Sequence, residues 1–302
     1  MKNTYKVISL YCFIKIEKNE ISYIQERLLN FQKQNITGLI ILGEEGFNGT
    51  ICGPKEKIEL MLDLLKSIFN TSDFKEKISF SEKKIFKKLK IKIKPEIVTM
   101  GIKDINPNKK KGKYLDASNW NKLIEKENTL IIDTRNYYEV SLGTFKNAIN
   151  PNTKNFREFP KWVSDKLDKT IKDKNNCNIA MFCTGGIRCE KATSLLLSKG
   201  YKNVFHLKGG ILKYLETIES DKSLYEGECY VFDNRVSVNN KLNKGSYSIC
   251  HACGMPLSLE NKKRDEYIEG IQCHFCINKF SDLDRERFAE RQKQFSKRDK
   301  II

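Results

Sequence analysis

The sequence predicts a multi-domain α/β protein in which two folded domains precede a small cysteine-rich module. Three observations support this prediction. Strand and helix patterns alternate through residues 1–222, a segment rich in turn-forming residues interrupts them at 102–114, and two Cys-x-x-Cys pairs follow. The 302 residues are enough for two or three domains, because one compact domain takes roughly 100–200 residues.

The first domain, residues 1–101, shows strand and helix patterns in the order βαββαβ, which is typical of a ferredoxin-like α+β sandwich. A glycine-rich turn at 43–49 carries Phe47, which can stack on an RNA base or fill a domain interface. The strands are expected at 5–16, 37–42, 50–52, 76–80 and 91–100, and the helices at 21–31 and 55–69.

Residues 102–114 are polar and rich in turn-forming residues, so we expect a linker there. In the next domain, residues 115–222, strands alternate with helices, which predicts an α/β fold with a parallel sheet and helices on both faces. His206 lies in an apolar strand and is expected to be a core histidine. The strands are expected at 129–132, 179–182 and 204–207, and the helices at 120–125 and 189–198.

A short loop between a strand and a helix carries the candidate catalytic residues, Cys183 and Arg188. Backbone N–H groups of the loop and the positive end of the helix dipole both stabilise a thiolate, the reactive form of cysteine. Two glycines let these N–H groups converge into an anion nest, and the arginine adds positive charge. Cysteine phosphatases use a loop one residue longer, so this loop favours a terminal sulfur over a phosphoryl group. The residues between the two are Thr184, Gly185, Gly186 and Ile187.

Alternative roles remain for this loop and for the helix that follows it. Cys183 can also be a buried structural cysteine beside an ordinary Gly-Gly turn. Cys189 can be a second, resolving thiol or a cysteine packed beneath the loop. Glu190 and Lys191 can contact a substrate or simply suit the surface of the helix.

The C-terminal region, residues 223–302, is expected to be a cysteine-rich module with a basic helical tail at 281–300. Its two cysteine pairs can place four thiolates around a structural zinc ion, with no coordination position left open. A redox-active dithiol is the alternative. The candidate ligands are Cys250, Cys253, Cys273 and Cys276.

The net charge of +17 suits a nucleic-acid partner, but the abundance of lysine can equally reflect an AT-biased genome. The candidate RNA-binding segments are 83–94 and 285–300. No stretch approaches the ~20 apolar residues of a membrane span, and no signal peptide is apparent, so we expect a soluble protein without a membrane partner. Ten cysteines without an export signal indicate thiol and metal chemistry in a reducing cytoplasm.

Five segments resemble one bacterial family. The loop, the Asp-x-Arg segment and the Leu-Lys-Gly-Gly-Ile run after the last strand resemble the rhodanese superfamily. The segments are Glu-Gly-Phe-Asn-Gly-Thr at 45–50, Asp-Thr-Arg-Asn-Tyr-Tyr-Glu at 133–139, Asn-Phe-Arg-Glu-Phe-Pro-Lys-Trp at 155–162, Cys-Thr-Gly-Gly-Ile-Arg-Cys-Glu-Lys-Ala at 183–192 and Gly-Glu-Cys-Tyr-Val-Phe-Asp-Asn-Arg-Val at 227–236. The full set is similar to the rhodanese-like, oxygen-dependent tRNA uridine hydroxylases.

The resemblance covers essentially the whole chain. It implies an oxidoreductase that makes 5-hydroxyuridine at the wobble position in the anticodon stem-loop of tRNA, with molecular oxygen as co-substrate. It implies a tRNA-holding ferredoxin-like domain, a rhodanese domain whose persulfide-capable cysteine is Cys183, and a cysteine-rich C-terminus. In rhodaneses the positions of Asp133, Arg135 and Glu139 are scaffold. The resemblance identifies neither the electron donor nor the oligomeric state.

Two other functions are consistent with the same motifs. A sulfurtransferase would pass persulfide sulfur from Cys183 to an acceptor without hydroxylation. An RNA-binding adaptor with a zinc module would need no reactive cysteine.

Overall fold

The computed structural model describes the backbone of residues 5–299 and the side chains of residues 5–296. Residues 1–4 and 300–302, assigned above to the first domain and to the basic tail, lie outside the described residues. No helix in the described part is both long and apolar enough to cross a membrane.

The first domain contains one five-stranded sheet covered on one face by two helices. The sheet has the order β4-β1-β3-β2-β5, in which β5 runs parallel to β2 and all other pairs are antiparallel. The first four strands have ferredoxin-like order, which confirms the prediction, and β5 extends the sheet at one edge. The elements are β1 (Tyr5–Phe13), α1 (Ile21–Leu29), β2 (Thr37–Gly43), β3 (Gly46–Gly53), α2 (Lys55–Phe69), β4 (Lys75–Ser81) and β5 (Leu89–Ile93).

Alternation along β1 gives the sheet two different faces. Ile8 and Leu10 point into the core that the helices close, where they meet Leu28 and Met61. Ser9 lies on the opposite face, which is turned toward the second domain. The first domain therefore presents an uncovered sheet face at the candidate site.

The turn predicted at 43–49 is much tighter in the structure. Gly43 pairs with Gly46, so β2 and β3 form a hairpin with a turn of only two residues. Gly46 has φ +134°, and a Cβ at this position would collide with the carbonyl of Cys12, so glycine is required here.

Phe47 is therefore not at a turn tip, and the expected stacking on RNA or filling of a domain interface is wrong. Its side chain is fully buried in the core of the first domain. The ring lies 5.0 Å from that of Phe69 and 5.1 Å from that of Phe74, measured between centroids. Its position in β3, the second strand of this hairpin, directs the residue into the core.

The strand predicted at 91–100 ends at Ile93. Lys94 still donates a backbone hydrogen bond to Leu42, but Pro95 has no N–H to continue the ladder. The chain then crosses to the second domain. The Glu96 carboxylate accepts from the backbone N–H groups of Met100 (3.1 Å) and Gly101 (3.0 Å) and so fixes this crossing.

The central domain has a parallel sheet of order β6-β10-β9-β7 with helices on both faces, as predicted. Ile179 and Met181 of β9 face one core and Ala180 and Phe182 face the other. The elements are β6 (Lys113–Leu115), α3 (Ala117–Ile124), β7 (Thr129–Asp133), α4 (Tyr137–Val140), β8 (Gly143–Phe145), α5 (Phe159–Trp162), α6 (Asp168–Thr170), β9 (Asn178–Phe182), α7 (Ile187–Ser198), β10 (Asn203–Leu207) and α8 (Gly210–Thr217).

The end of the segment expected as a linker belongs to this sheet. Lys113 and Tyr114 are part of β6, which pairs in parallel with β10. His206 of β10 is buried and its ring stacks on that of Tyr114 at 4.2 Å. The sheet therefore gains an edge strand that hydrophobic periodicity did not reveal.

The C-terminal region is built from short strand pairs and one long helix. Strand β11 pairs with β8 of the central domain, β12 pairs with β13, and β14 pairs with β15, all antiparallel. The elements are β11 (Tyr225–Gly227), β12 (Cys229–Tyr230), β13 (Ser237–Val238), β14 (Ser248–Ile249), β15 (Pro256–Leu257) and α9 (Asp282–Asp299).

Candidate active site

The loop from Cys183 to Arg188 joins the end of β9 to the start of α7. The backbone N–H of Gly186 lies 3.1 Å from the Cys183 sulfur, and Gly186 has φ +103°, which lets the loop turn back on itself. The backbone N–H of Ile211 at the start of α8 donates to the Cys183 carbonyl at 3.0 Å. The sequence thus folds two strand–turn–helix units side by side, and each one braces the other.

The surroundings of Cys183 favour its thiolate. Burial by itself would raise the pKa of this thiol, since the side chain is fully buried. A hydrogen bond from the Cys189 thiol, the positive charge of Arg188 and the Gly186 N–H together outweigh burial and lower the pKa below its ordinary value. Burial, and after it the neighbouring Cys183, raise the pKa of Cys189. When the two thiols share a single proton, that proton therefore resides on Cys189 and Cys183 is the thiolate.

Arg188 is held beside the sulfur by a buried carboxylate. Its Nη1 and Nη2 atoms each lie 2.7 Å from an oxygen of Glu139, and the Glu139 side chain has no exposed surface. Although burial opposes its ionisation, the Arg188 charge lowers the pKa of Glu139. Glu139, expected only as scaffold, thus fixes the orientation of a loop residue.

Asp133 and Arg135 form a separate buried ion pair, 2.7 Å between Nη2 and Oδ2. Arg135 also donates to the Gly143 carbonyl at 2.6 Å, and Thr144 donates to Asp133 at 2.9 Å. These contacts tie the end of β7 to β8 and do not involve the loop. Their geometry supports the scaffold role expected for this pair.

Glu190 on α7 lies in the interface between the two domains and is almost fully buried. Its carboxylate accepts hydrogen bonds from the hydroxyls of Tyr11 in β1, at 3.0 Å, and Tyr114 in β6. The ammonium group of Lys111 lies 3.0 Å from the other carboxylate oxygen. Glu190 is thus neither on the helix surface nor open to a substrate.

Lys191, the next residue, is 2 % exposed and makes two ion pairs. Its ammonium group lies 2.8 Å from Glu45 in the β2–β3 turn and 2.7 Å from Glu96 in the crossing segment. It too is an interface residue rather than a surface residue. The helix that begins at the Cys183 loop therefore docks the first domain through charged contacts.

A cavity of about 420 Å³ lies between the uncovered face of the first sheet and the Cys183 loop. Ser9 and Tyr11 belong to one wall, Cys183 and Arg188 to another, and Phe232 from the C-terminal region closes a third. Because Cys183 has no surface accessible to water, a reacting molecule must displace part of the wall to reach the sulfur.

The four cysteines of the C-terminal pairs converge in the structure, with all four sulfur atoms within 4.8 Å of one another. Three of the sulfur–sulfur distances are 3.7, 3.7 and 4.0 Å. Tetrahedral zinc with Zn–S bonds of ~2.3 Å places its sulfur ligands about 3.8 Å apart. Cys250, Cys253, Cys273 and Cys276 therefore fit a metal ion of this kind.

The two basic segments proposed for RNA binding lie near each other. The Lys87 ammonium group lies 5.6 Å from the centroid of the Phe295 ring on α9. Arg291 of the same helix donates to the His251 carbonyl at 2.6 Å, so α9 packs back on the cysteine module. The described part of the 285–300 tail thus lies beside the 83–94 segment of the first domain.

Sequence reasoning missed the interface partners Tyr11, Tyr114 and Glu96. Each is distant in the chain from α7, and no local pattern marks it. Glu45 did carry a signal, since it opens the Glu-Gly-Phe-Asn-Gly-Thr segment by which the family was recognised. Its role depends on the packing of the two domains, which brings it to Lys191.

Two family models match the two folded domains of this chain. Residues 5–97 match the UPF0176 acylphosphatase like domain and residues 116–217 match the rhodanese-like domain. Among solved structures, a rhodanese-like domain from Anabaena sp. is 21 % identical with a TM-score of 0.30, covering 38 % of this chain and 78 % of that chain. A single-domain sulfurtransferase of Saccharomyces cerevisiae is 20 % identical with a TM-score of 0.29, covering 35 % and 90 %.

Curated relatives match along nearly the whole length. The tRNA uridine(34) hydroxylase of Prochlorococcus marinus strain MIT 9515 is 60 % identical over 297 residues, which cover 98 % of this chain and 96 % of that protein. The protein of the same name from strain NATL2A is 51 % identical over 294 residues, covering 97 % and 92 %. The chain belongs to the tRNA uridine(34) hydroxylase family.

Proposed function

We propose that this protein hydroxylates C5 of the uridine at position 34 of tRNA, with molecular oxygen as co-substrate and Cys183 as the reacting group. The observation that carries the proposal is the position of Cys183, a buried thiol in the inner wall of a cavity between two domains. A volume of about 420 Å³ falls in the range of small-molecule sites, roughly 300–1,000 Å³. A single nucleotide extruded from the anticodon loop is a ligand of this class.

The lowered pKa of Cys183 supplies a nucleophile for the proposed chemistry. The thiolate adds to C6 of the uracil ring, and the electron pair of the C5–C6 double bond makes C5 nucleophilic. C5 then takes one oxygen atom of O₂, while a reductant supplies two electrons and the second oxygen atom leaves as water. Loss of the C5 proton and expulsion of the thiolate from C6 restore the double bond. Arg188, held by Glu139, keeps the sulfur anionic before addition and after expulsion.

The overall reaction requires a reductant in addition to O₂. One atom of O₂ becomes the hydroxyl oxygen and the other leaves as water, so two electrons must come from an external reductant. The same loop can also carry a persulfide on Cys183, because its N–H groups and Arg188 would stabilise a terminal sulfur anion. A persulfide-bearing form belongs to the sulfurtransferase alternative.

Lysines near the cavity support tRNA as the partner. Lys77 of β4 lies over Gly209, beside the Cys183 loop. Burial, together with the ammonium groups of Lys213 and Lys208, lowers the pKa of Lys77 to about 8. The negative charge of a phosphate bound among these three lysines would offset both effects, and an RNA backbone provides such a phosphate. We place the reaction in the cytoplasm, where tRNA is available and the free cysteines stay reduced.

In this proposal the cysteine module stabilises the fold and takes no part in the reaction. A zinc ion held by Cys250, Cys253, Cys273 and Cys276 would have all its positions filled by protein and would stabilise the fold. Met255, two residues after the first pair, accepts a hydrogen bond from Tyr137 in α4 at 3.4 Å. The module is thereby connected to the helix that carries Glu139.

Mass spectrometry of nucleosides tests the function directly. Total tRNA from cells with and without the gene is compared, and the deletion is complemented with the wild type or with Cys183→Ala. We expect 5-hydroxyuridine to disappear in the deletion and to return only with the wild type. Loss of a thiolated base instead would identify a sulfurtransferase, and full hydroxylation with Cys183→Ala would contradict the role of the cysteine.

A further inference from the structure

A second pocket of about 370 Å³ lies outside the Cys183 cavity, between α4, the β12–β13 segment and the first cysteine pair. Four of its eight lining residues are aromatic, and the turn of the first cysteine pair supplies two others. The aromatic residues are Tyr137, Tyr138, Tyr230 and Phe232, and Lys154 and Met255 complete the lining. Nothing in the chemistry proposed above uses this pocket.

Phe232 is the connection between the two spaces, because its side chain lines both of them. It is also 60 % exposed, which is unusual for a phenylalanine that has a core available nearby. Neighbouring Tyr230, by contrast, is only 7 % exposed. Phe232 therefore separates the two pockets, and a ligand in either pocket can contact its ring.

The backbone that carries Phe232 is held in place from several directions. The N–H of Val231 donates to the Val236 carbonyl at 2.9 Å and closes the turn. Asp233 and Arg235 form an ion pair of 2.7 Å, and Arg235 also donates to Ser79 of the first domain at 3.2 Å. The exposed ring thus projects from a turn whose backbone is held by hydrogen bonds. Little conformational freedom is therefore lost when a planar ligand stacks on it.

The aromatic rings of the pocket meet edge to face. The centroids of Tyr230 and Phe232 are 5.1 Å apart with planes at 81°, and those of Tyr138 and Tyr230 are 5.5 Å apart at 76°. Neither contact is a parallel stack, and Phe232, which is 60 % exposed, is the ring that offers its surface to a planar partner. The ammonium group of Lys154 is exposed and makes no ion pair within residues 5–296.

We propose that this pocket binds the nucleobase directly adjacent to the reacting uridine, with Phe232 standing between the two bases and Lys154 contacting the RNA backbone. Proteins recognise single-stranded RNA by stacking splayed bases on aromatic rings and by pairing lysines with phosphates. Two neighbouring nucleotides of one strand need two adjoining pockets. The Cys183 cavity and this pocket adjoin each other because both are lined by Phe232. The inference rests on the proposed function, since it takes RNA as the ligand.

Fluorescence of 2-aminopurine tests the stacking. The probe replaces the base on the 5′ or the 3′ side of the reacting uridine in an anticodon stem-loop RNA. We expect wild-type protein to quench the probe at one of these positions. Phe232→Ala should abolish that quenching and weaken binding by about 5- to 150-fold, the usual loss per stacked base, while Phe232→Trp retains both.

The matched control is Phe80→Ala, because Phe80 on β4 is 61 % exposed and lines neither pocket. Phe80→Ala should quench and bind like the wild type. An abasic nucleotide at the quenched position should weaken RNA binding by the wild type as much as Phe232→Ala does. The same abasic RNA should bind Phe232→Ala no more weakly than the intact RNA does. Quenching at neither position, quenching that survives Phe232→Ala, or additive losses would overturn the proposal.

Lys154→Gln tests the pocket without altering the wall of the Cys183 cavity. Its plot of log affinity against log salt should be less steep by about 0.7, the value for one contact to single-stranded nucleic acid. An unchanged slope would remove Lys154 from the proposed site. The nucleoside analysis of cellular tRNA separates the two proposals: Phe232-dependent quenching without a gene-dependent 5-hydroxyuridine would refute only the function, and gene-dependent 5-hydroxyuridine without such quenching would refute only the pocket.

Discussion

Glu139 and Arg188, which are 49 positions apart in the chain, meet in two parallel hydrogen bonds of 2.7 Å each. Both side chains are buried, so the pair is shielded from solvent and holds a defined orientation. The pair places a permanent positive charge beside Cys183, and the carboxylate prevents the guanidinium from turning away. The loop and α4 thus act together on one sulfur atom.

Arg188→Gln should raise the pKa of Cys183. An opposite charge at this range lowers the pKa of an acidic group by about 1–3 units, so its removal should shift the thiolate titration upward by a similar amount. The pH dependence of Cys183 alkylation, followed by peptide mass spectrometry, measures the shift. Arg157→Gln, an exposed change outside the loop, is the control. An unchanged midpoint would show that the Cys189 thiol and the loop amides stabilise the thiolate without Arg188.

The wild-type protein should show two distinct cysteines in one titration. Because Cys183 has a lowered pKa and Cys189 a raised one, alkylation of Cys183 should reach its plateau below the pH at which an ordinary cysteine is half ionised. Cys189 should remain unmodified through the same range. Peptide mass spectrometry across pH 5–9 distinguishes the two sites, and equal rates at both would contradict the assignment.

The parts of the fold that sequence predicted correctly are those with short-range signals. Helix α2 begins and ends where the apolar periodicity placed it, at Lys55–Phe69, because its buried face repeats with the helical period. The cysteine cluster was likewise predictable, since each pair is local and only the spacing between pairs is long. The Cys183 loop belongs to the same group, as strand, glycines and arginine follow one another directly.

The rest depends on contacts between distant segments. Lys191 looks like an ordinary helix-surface lysine, and only the packing of the first domain buries it against Glu45 and Glu96. Phe47 was misplaced for a related reason. A glycine-rich segment normally forms a turn, yet here Gly46 starts a strand because Cys12 of β1 passes within contact distance. Close contacts of this kind belong to the tertiary structure, and a local sequence pattern does not reveal them.

Lys191→Met should weaken the docking of the first domain. Removing one partner of a buried ion pair costs about 3–5 kcal/mol, and because Glu45 and Glu96 are each about a quarter exposed we expect the lower end. Denaturant unfolding measures the loss, and limited proteolysis should show faster cleavage in the crossing segment after Pro95. Lys169→Met, an exposed lysine of α6, is the control. Stability equal to that control would contradict a docking role.

The cysteine cluster should bind one zinc ion per chain. Metal analysis of the purified protein should find this stoichiometry, and Cys276→Ser should lower it because a fully buried ligand is lost. Since metal binding and folding of such modules are coupled, a strong chelator should also destabilise the C-terminal region. Cys177→Ser, a half-buried cysteine outside the cluster, should leave the metal content unchanged. Metal-free protein in which the four thiols form disulfides reversibly, at full stability, would instead establish a redox dithiol.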